Sequence, residues 1–143
     1  MDKHERMTVQ QFLNEIGVDF YEFMENYHNE NPDFEIGKYR FIHEDKIDDI
    51  QVEEMKSDPY ILGCFADWAI ADASGLSYYI VLALQESDKF ELIGQYLIDN
   101  DCVDELQRIY VANDSYGHHF AHYNHETLED ILSETGYYVF RVN

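Results

Sequence analysis

The sequence predicts an α+β fold, mostly α: a single compact domain spanning 1–143, with about six to eight short helices and a small two- or three-stranded antiparallel sheet. Apolar residues recur at helical spacing through most of the 143 residues. Two segments, KYRFI (38–42) and YYVFRV (137–142), are dense in the aromatic and β-branched residues that favour strands. Only two prolines and seven glycines punctuate the chain, with no Ser/Gly-rich linker, low-complexity block or repeat to suggest a second domain. A hydrophobic fraction of 45%, with twelve Tyr and nine Phe, excludes a disordered acidic tail.

The elements follow in order. Thr8 and Gln11 make a capping-box pattern ahead of Val9, Phe12, Leu13 and Ile16, and Gly17 is the stop signal of a first helix. Asp19 and Glu22 repeat the pattern before Phe20, Phe23, Met24 and Tyr27, and the polar run NENPD ends the second helix. After strand KYRFI comes a charged helix over 44–56. Asp58-Pro59 is an N-cap followed by proline at the first helical position. Ile61, Leu62, Phe65, Trp68 and Ala69 then read as one central core helix ending at Ser74-Gly75. Further helices are expected over 77–85, 88–98, 101–112 and 127–134, the last ended by Gly136. HHFAHY (118–123) alternates and is read as a third strand. Cys64 and Cys102, too few and too widely spaced for a CxxC site, are expected as reduced core thiols.

Charge is the dominant functional signal. Thirty Asp and Glu oppose nine Lys and Arg, a formal net charge of −21. Such a field costs the compact state self-repulsion, repels nucleic acid and anionic lipid, and attracts proteins with basic sites. Direct nucleic-acid binding is therefore disfavoured. No stretch approaches a membrane span and MDKHERMTVQ lacks an apolar leader, so a soluble, cytoplasmic chain is expected. There is no GxGxxG, Walker-A or GxSxG pattern, which points to a non-enzymatic protein without a cofactor.

The densest acidic segment is HEDKIDDIQVEEMKSD. On a helix, Glu44 and Asp48, Asp45 and Asp49, and Asp49 and Glu53 are neighbours whose Cβ atoms lie about 5–6 Å apart, and like charges at that spacing oppose helix formation. The spacing approximates that of phosphates along a nucleic-acid strand. Glu44, Asp45, Asp48, Asp49, Glu53 and Glu54 are accordingly the candidate partner-binding residues. The plainer reading is a solvated helix face, but acids spread along the whole chain favour the functional one.

YGHHFAHYNHE (116–126) gathers four of the seven histidines. Zinc needs side chains converging to about 2.0–2.1 Å, and His118, His122, His125 and Glu126 are the set that would do so in a metal-dependent hydrolase. HHxxHxxH lacks the glutamate of the HExxH motif, so imidazoles packing a sheet edge are the leading reading and no metal is expected.

In composition and charge spacing the chain resembles the DNA-mimic inhibitors that phages and plasmids direct against restriction or CRISPR systems. IYVANDSYG (109–117) is similar to the IYVAN-type opening of the ArdA antirestriction family. There the segment opens the protein, here it lies far along the chain, so no residue role is carried over. The resemblance implies an inhibitor acting in the host cytoplasm. Its partner would be a basic nucleic-acid-binding protein of a host defence complex. The runner-up is an immunity protein or antitoxin plugging a basic nuclease toxin through exposed tyrosines around Tyr78, Tyr79 or Tyr116.

Overall fold

A computed structural model describes residues 1–123, 127–128 and 132–143. The fold is α+β and mostly α. Its contacts divide it into two compact units: unit 1 comprises Met1–Ile47 and Tyr116–Asn143, and unit 2 comprises Asp48–Ser115.

Unit 1 begins with α1 (Lys3–Glu15) and α2 (Phe20–His28). The first helix starts earlier than its sequence pattern suggests, because Asp2 and Glu5 form the capping box. Thr8 lies inside the helix and bonds back to the His4 carbonyl. α2 is capped by Asp19 as expected. Strands β1 (Asp33–Ile36) and β2 (Tyr39–His43) form a hairpin whose two-residue loop opens with Gly37 at φ 60°, the backbone a tight hairpin requires.

Among the described residues the sheet has the order β1-β2-β4-β3, antiparallel throughout, with β3 at Thr127–Leu128 and β4 at Tyr137–Arg141. KYRFI and YYVFRV thus pair directly with each other. The expected helix over 127–134 is replaced by β3 and the short α9 (Leu132–Thr135).

Alternation sorts the strands onto two faces. Phe34, Phe41, Tyr137 and Val139 share the face covered by α1 and α2, where they join Val9, Leu13, Phe20 and Phe23 in one buried cluster. Phe23 is its hub, with ring centroids of Phe41 at 5.4 Å and of Phe34 and Tyr137 at 6.0 Å. Arg40, Ile42 and Phe140 point the other way. There Arg40 donates two bonds to Asp33, at 2.8 and 2.7 Å, and its guanidinium lies 5.1 Å from the Phe120 ring centroid.

Unit 2 contains α3 (Ile47–Lys56) from Asp48 onward, α4 (Pro59–Gly63), α5 (Asp67–Ser74), α6 (Tyr78–Glu86), α7 (Phe90–Asp99) and the first part of α8 (Val103–Phe120). Its core is aliphatic, built from Val52, Met55, Leu62, Ile70, Val81, Ile93, Leu97 and Leu106. The single helix expected from Pro59 to Ser74 is broken. α4 packs so closely on α7 that a Cβ on Gly63 would sit 1.8 Å from the Phe90 carbonyl oxygen, and one on Gly94 would sit 1.7 Å from that of Pro59. At the break the Gln85 side-chain amide donates to the carbonyls of Gly63 and Phe65, at 3.0 and 2.9 Å, supplying partners that a continuing helix would otherwise provide.

This interruption rotates the apolar pattern out of register. Ile61 and Trp68, expected in the core, are 53% and 46% exposed. Both thiols are free; Cys64 caps α4 and is exposed, against the expectation of a core thiol, while Cys102 is half-buried and packs against the aliphatic core. α8 is itself broken at Ser115, whose φ 65° and ψ 169° are not helical. That break coincides with the boundary between the units.

Candidate functional site

The acidic segment does not form one helix. Its first turn is taken up by unit 1: the Glu44 N–H donates to the Gly136 carbonyl, the Lys46 N–H to the His43 carbonyl, and the Asp45 N–H to His43 Nδ1. These bonds hold 44–46 in turns, and α3 starts only at Ile47. Glu44 and Asp45 therefore belong to unit 1, and Asp48, Asp49, Glu53 and Glu54 to unit 2. Of the expected i, i+4 pairs only Asp49 with Glu53 lies within the helix.

Within unit 2, α3 turns Gln51, Val52 and Met55 inward and leaves Asp48, Asp49 and Glu53 exposed, with Glu54 half-buried. Asp48 has a structural duty as well. Its Oδ1 accepts from Gln107 Nε2 at 2.8 Å, and the same amide nitrogen donates to Gln51 Oε1 at 2.9 Å. Both glutamines are buried, and this amide pair ties α3 to α8. Gln51 Nε2 has no partner among the described residues. Beside the pair, Asp48, Asp49, Asp104 and Arg108 line a shallow hollow of about 170 Å³. Arg108 is engaged by Glu105 at 2.9 Å and Lys56 approaches Glu53 at 3.8 Å, so the two local cations are already shared with acids.

The histidine segment departs from its sequence reading. His118, His119 and Phe120 complete α8, so the segment is not a strand, and His122 lies beyond the helix end. Phe120 is buried against Phe140 at 5.1 Å while His118 and His122 are exposed, which removes the common face that alternation would have given them. The His119 ring packs edge-on against Phe120 at 4.6 Å. Helix continuation is carried by the i to i−4 bond from the Ala121 N–H to the Gly117 carbonyl at 2.9 Å, which pairs the backbone locally instead of across a sheet. Among the described residues no three His, Cys, Asp or Glu converge on a point that could hold a metal ion. His125 and Glu126, the other members of the proposed metal set, lie outside the described residues, as do Glu129 and Asp130.

No family model, curated protein or solved structure matches the chain. Among the described residues no helix is long and apolar enough to cross a membrane.

The tyrosines considered as an aromatic hot spot separate. Tyr116 is half-buried and meets Tyr138 at 5.0 Å in unit 1. In unit 2 Tyr79 is 79% exposed and Tyr78 lies against it at 5.6 Å. Ser77 caps α6, so the two tyrosines occupy its first turn. The carboxylate of Asp67 acts on the Tyr78 hydroxyl through its charge and a hydrogen bond and raises the phenol pKa. Trp68 and Ile80, both exposed, add to the apolar surface of α5 and α6. Spacing alone predicts Trp68 in the core. Its exposure follows from the break between α4 and α5, which takes Trp68 out of the register that the spacing predicts.

Proposed function

We propose that the chain is a non-enzymatic inhibitor whose acidic surface occupies the basic nucleic-acid-binding groove of a host defence protein and excludes DNA or RNA by steric competition. The observation that carries this reading is that each unit is strongly acidic by itself. Unit 2 holds fifteen acidic and three basic residues, a net of −12, and unit 1 holds fifteen and six, a net of −9. Several of the few cations are spent locally, Arg40 on Asp33, Arg108 on Glu105 and Lys56 on Glu53. The outward field is thus left to the carboxylates. Asp49 and Glu53, exposed on α3, are the acids best placed to meet a partner without disturbing the fold. Asp48 is shared between surface and core.

The experiment is capture of partners from host lysate at low and high salt, followed by displacement with duplex DNA. A nucleic-acid-binding protein released by salt and displaced by DNA is expected, because attraction between opposite charges is screened over about 10 Å at roughly 0.1 M salt. A partner retained at high salt and indifferent to DNA would sink the reading. Within a confirmed complex, Asp49→Lys with Glu53→Lys should slow association.

The exposed pair Tyr78 and Tyr79, with Trp68 and Ile80 nearby in sequence, favours a second reading. In it the chain is an immunity protein or antitoxin that plugs a basic nuclease toxin through an aromatic anchor. Truncating such an anchor costs about 2 kcal/mol or more. Tyr79→Ala would then weaken binding more than Asp49→Lys does, and chiefly through faster dissociation.

A further inference from the structure

Unit 1 contains a hollow of about 560 Å³ where the C-terminal end of α2, the end of β2 and the start of β4 meet. Its size lies within the range of about 300–1,000 Å³ usual for small-ligand sites. Tyr27, His43 and Tyr137 supply an aromatic wall, and Glu30, Asp45 and Lys46 supply charge. The His43 and Tyr137 rings meet edge-on, with centroids 5.0 Å apart at 89°, and Tyr27 tilts against Tyr137 at 6.4 Å.

The wall is held in place. The Tyr137 hydroxyl donates to the Asn31 carbonyl at 2.5 Å, and the Asn31 amide donates to Asn26 Oδ1 at 3.0 Å. His43 Nδ1 accepts the Asp45 N–H at 3.1 Å, which in the neutral ring places the proton on Nε2. Glu30 is fixed at φ 55°, a left-handed backbone that a glutamate adopts only under constraint. Burial, then the neighbouring Tyr27 and then Glu30, push the Tyr137 phenol pKa up, so the Glu30 charge is felt at the wall.

These features select among ligand classes. An anion would meet two carboxylates in a chain of net charge −21. An apolar ligand would strip water from those carboxylates and offer nothing in return. A planar, weakly hydrated cation suits both parts of the hollow, stacking on tyrosine while its forked N–H donors reach the carboxylates.

We propose that this hollow is a binding site for a guanidinium group, with Glu30 and Asp45 as its carboxylate partners and the Tyr27 ring, which stacks on Phe23 at 6.1 Å, as its stacking surface on the face turned away from Phe23. Lys46 opposes the ligand's charge. The site does not depend on the mimicry reading, since it requires neither a groove nor a nucleic-acid-binding partner.

The test is titration of the full chain with L-argininamide at 0.15 M salt or above, followed by calorimetry and amide NMR. Saturable one-to-one binding is expected, with shifts centred on Tyr27, Glu30, His43 and Tyr137. Glu30→Gln and Tyr27→Ala should each weaken it about tenfold. Lys46→Gln should tighten it, and Glu86→Gln, the same loss of charge on unit 2, should leave it unchanged. Lysinamide should bind more weakly and inorganic phosphate not at all.

A blocked arginine-containing peptide distinguishes the source of the group. If the peptide binds tighter than argininamide, the natural ligand is a protein side chain. If argininamide is equal or better, it is a free small molecule. Failure of both to saturate overturns the site, as does an equal loss on Glu86→Gln and Glu30→Gln.

Discussion

Tyr137 shows how one residue can serve core and surface together. Its ring is buried on the helix-covered face of the sheet, yet its hydroxyl keeps a partner in the Asn31 carbonyl. Tyr137→Phe removes that bond and should cost about 1 kcal/mol in urea unfolding. Because the folded-state phenol pKa is raised above 10.0, the unfolded chain loses this proton first as pH rises. The contribution is complete below about pH 10 and is lost as pH climbs from there through the folded pKa. Stability of Tyr137→Phe should fall less steeply above pH 10 than that of the parent chain. At Tyr78 the cause is different, since the Asp67 charge dominates there. Asp67→Asn should return that phenol toward its ordinary value, read as the difference in phenolate absorbance between chains with and without Tyr78→Phe.

Between elements, closest approach and local strain decide the outcome. The α4–α7 crossing leaves no room for a methyl group at Gly63 or Gly94, and in both cases the obstruction is backbone, which cannot swing aside. Gly94→Ala should therefore destabilise unit 2 by about 3 kcal/mol or more, at the upper end of overpacking costs. A calorimetric transition unchanged from the parent would contradict the packing described. Ser115 holds a backbone conformation natural only to glycine. Ser115→Gly should stabilise by about 1 kcal/mol, strain relief outweighing the entropy lost by glycine.

Signals local in sequence were the legible ones: Asp19 and Asp58 as caps, Gly75 and Gly136 as stops, KYRFI and YYVFRV as strands. What escaped was set from a distance. Gln85 lets a helix break some twenty residues earlier. Gly136 and His43 claim the backbone of Glu44 and Asp45, which removes both acids from α3. The DFEI strand had a readable sign in the Gly37-Lys38 pair that turns it back on YRFIH, but its polar flank concealed it.

For the molecule as a whole, charge sets the response to solution conditions. With −21 spread over both units, self-repulsion is largest at low ionic strength. The thermal midpoint should rise between about 10 mM and 300 mM sodium chloride as the screening length shortens from roughly 30 Å to below 8 Å. A midpoint that fell or stayed level would mean that attractive ion pairs outweigh the repulsion. The same salt range should weaken partner binding, so fold and complex are expected to move in opposite directions.

The nesting of one unit inside the sequence of the other also sets an order of events during synthesis. β2 leaves the ribosome early, but its neighbour β4 emerges only after every residue of unit 2 has been made. Until then one edge of the β1–β2 hairpin has no strand beside it, and a two-stranded hairpin in water is marginal. Unit 2, contiguous in sequence, has all its pairing partners in hand first. Pulsed hydrogen exchange on stalled nascent chains should find the amides of α4 and α7 protected while those of β2 still exchange. The acidic N-terminal segment would then have to wait, unfolded and self-repelling, which guards that open strand edge against pairing with a second chain.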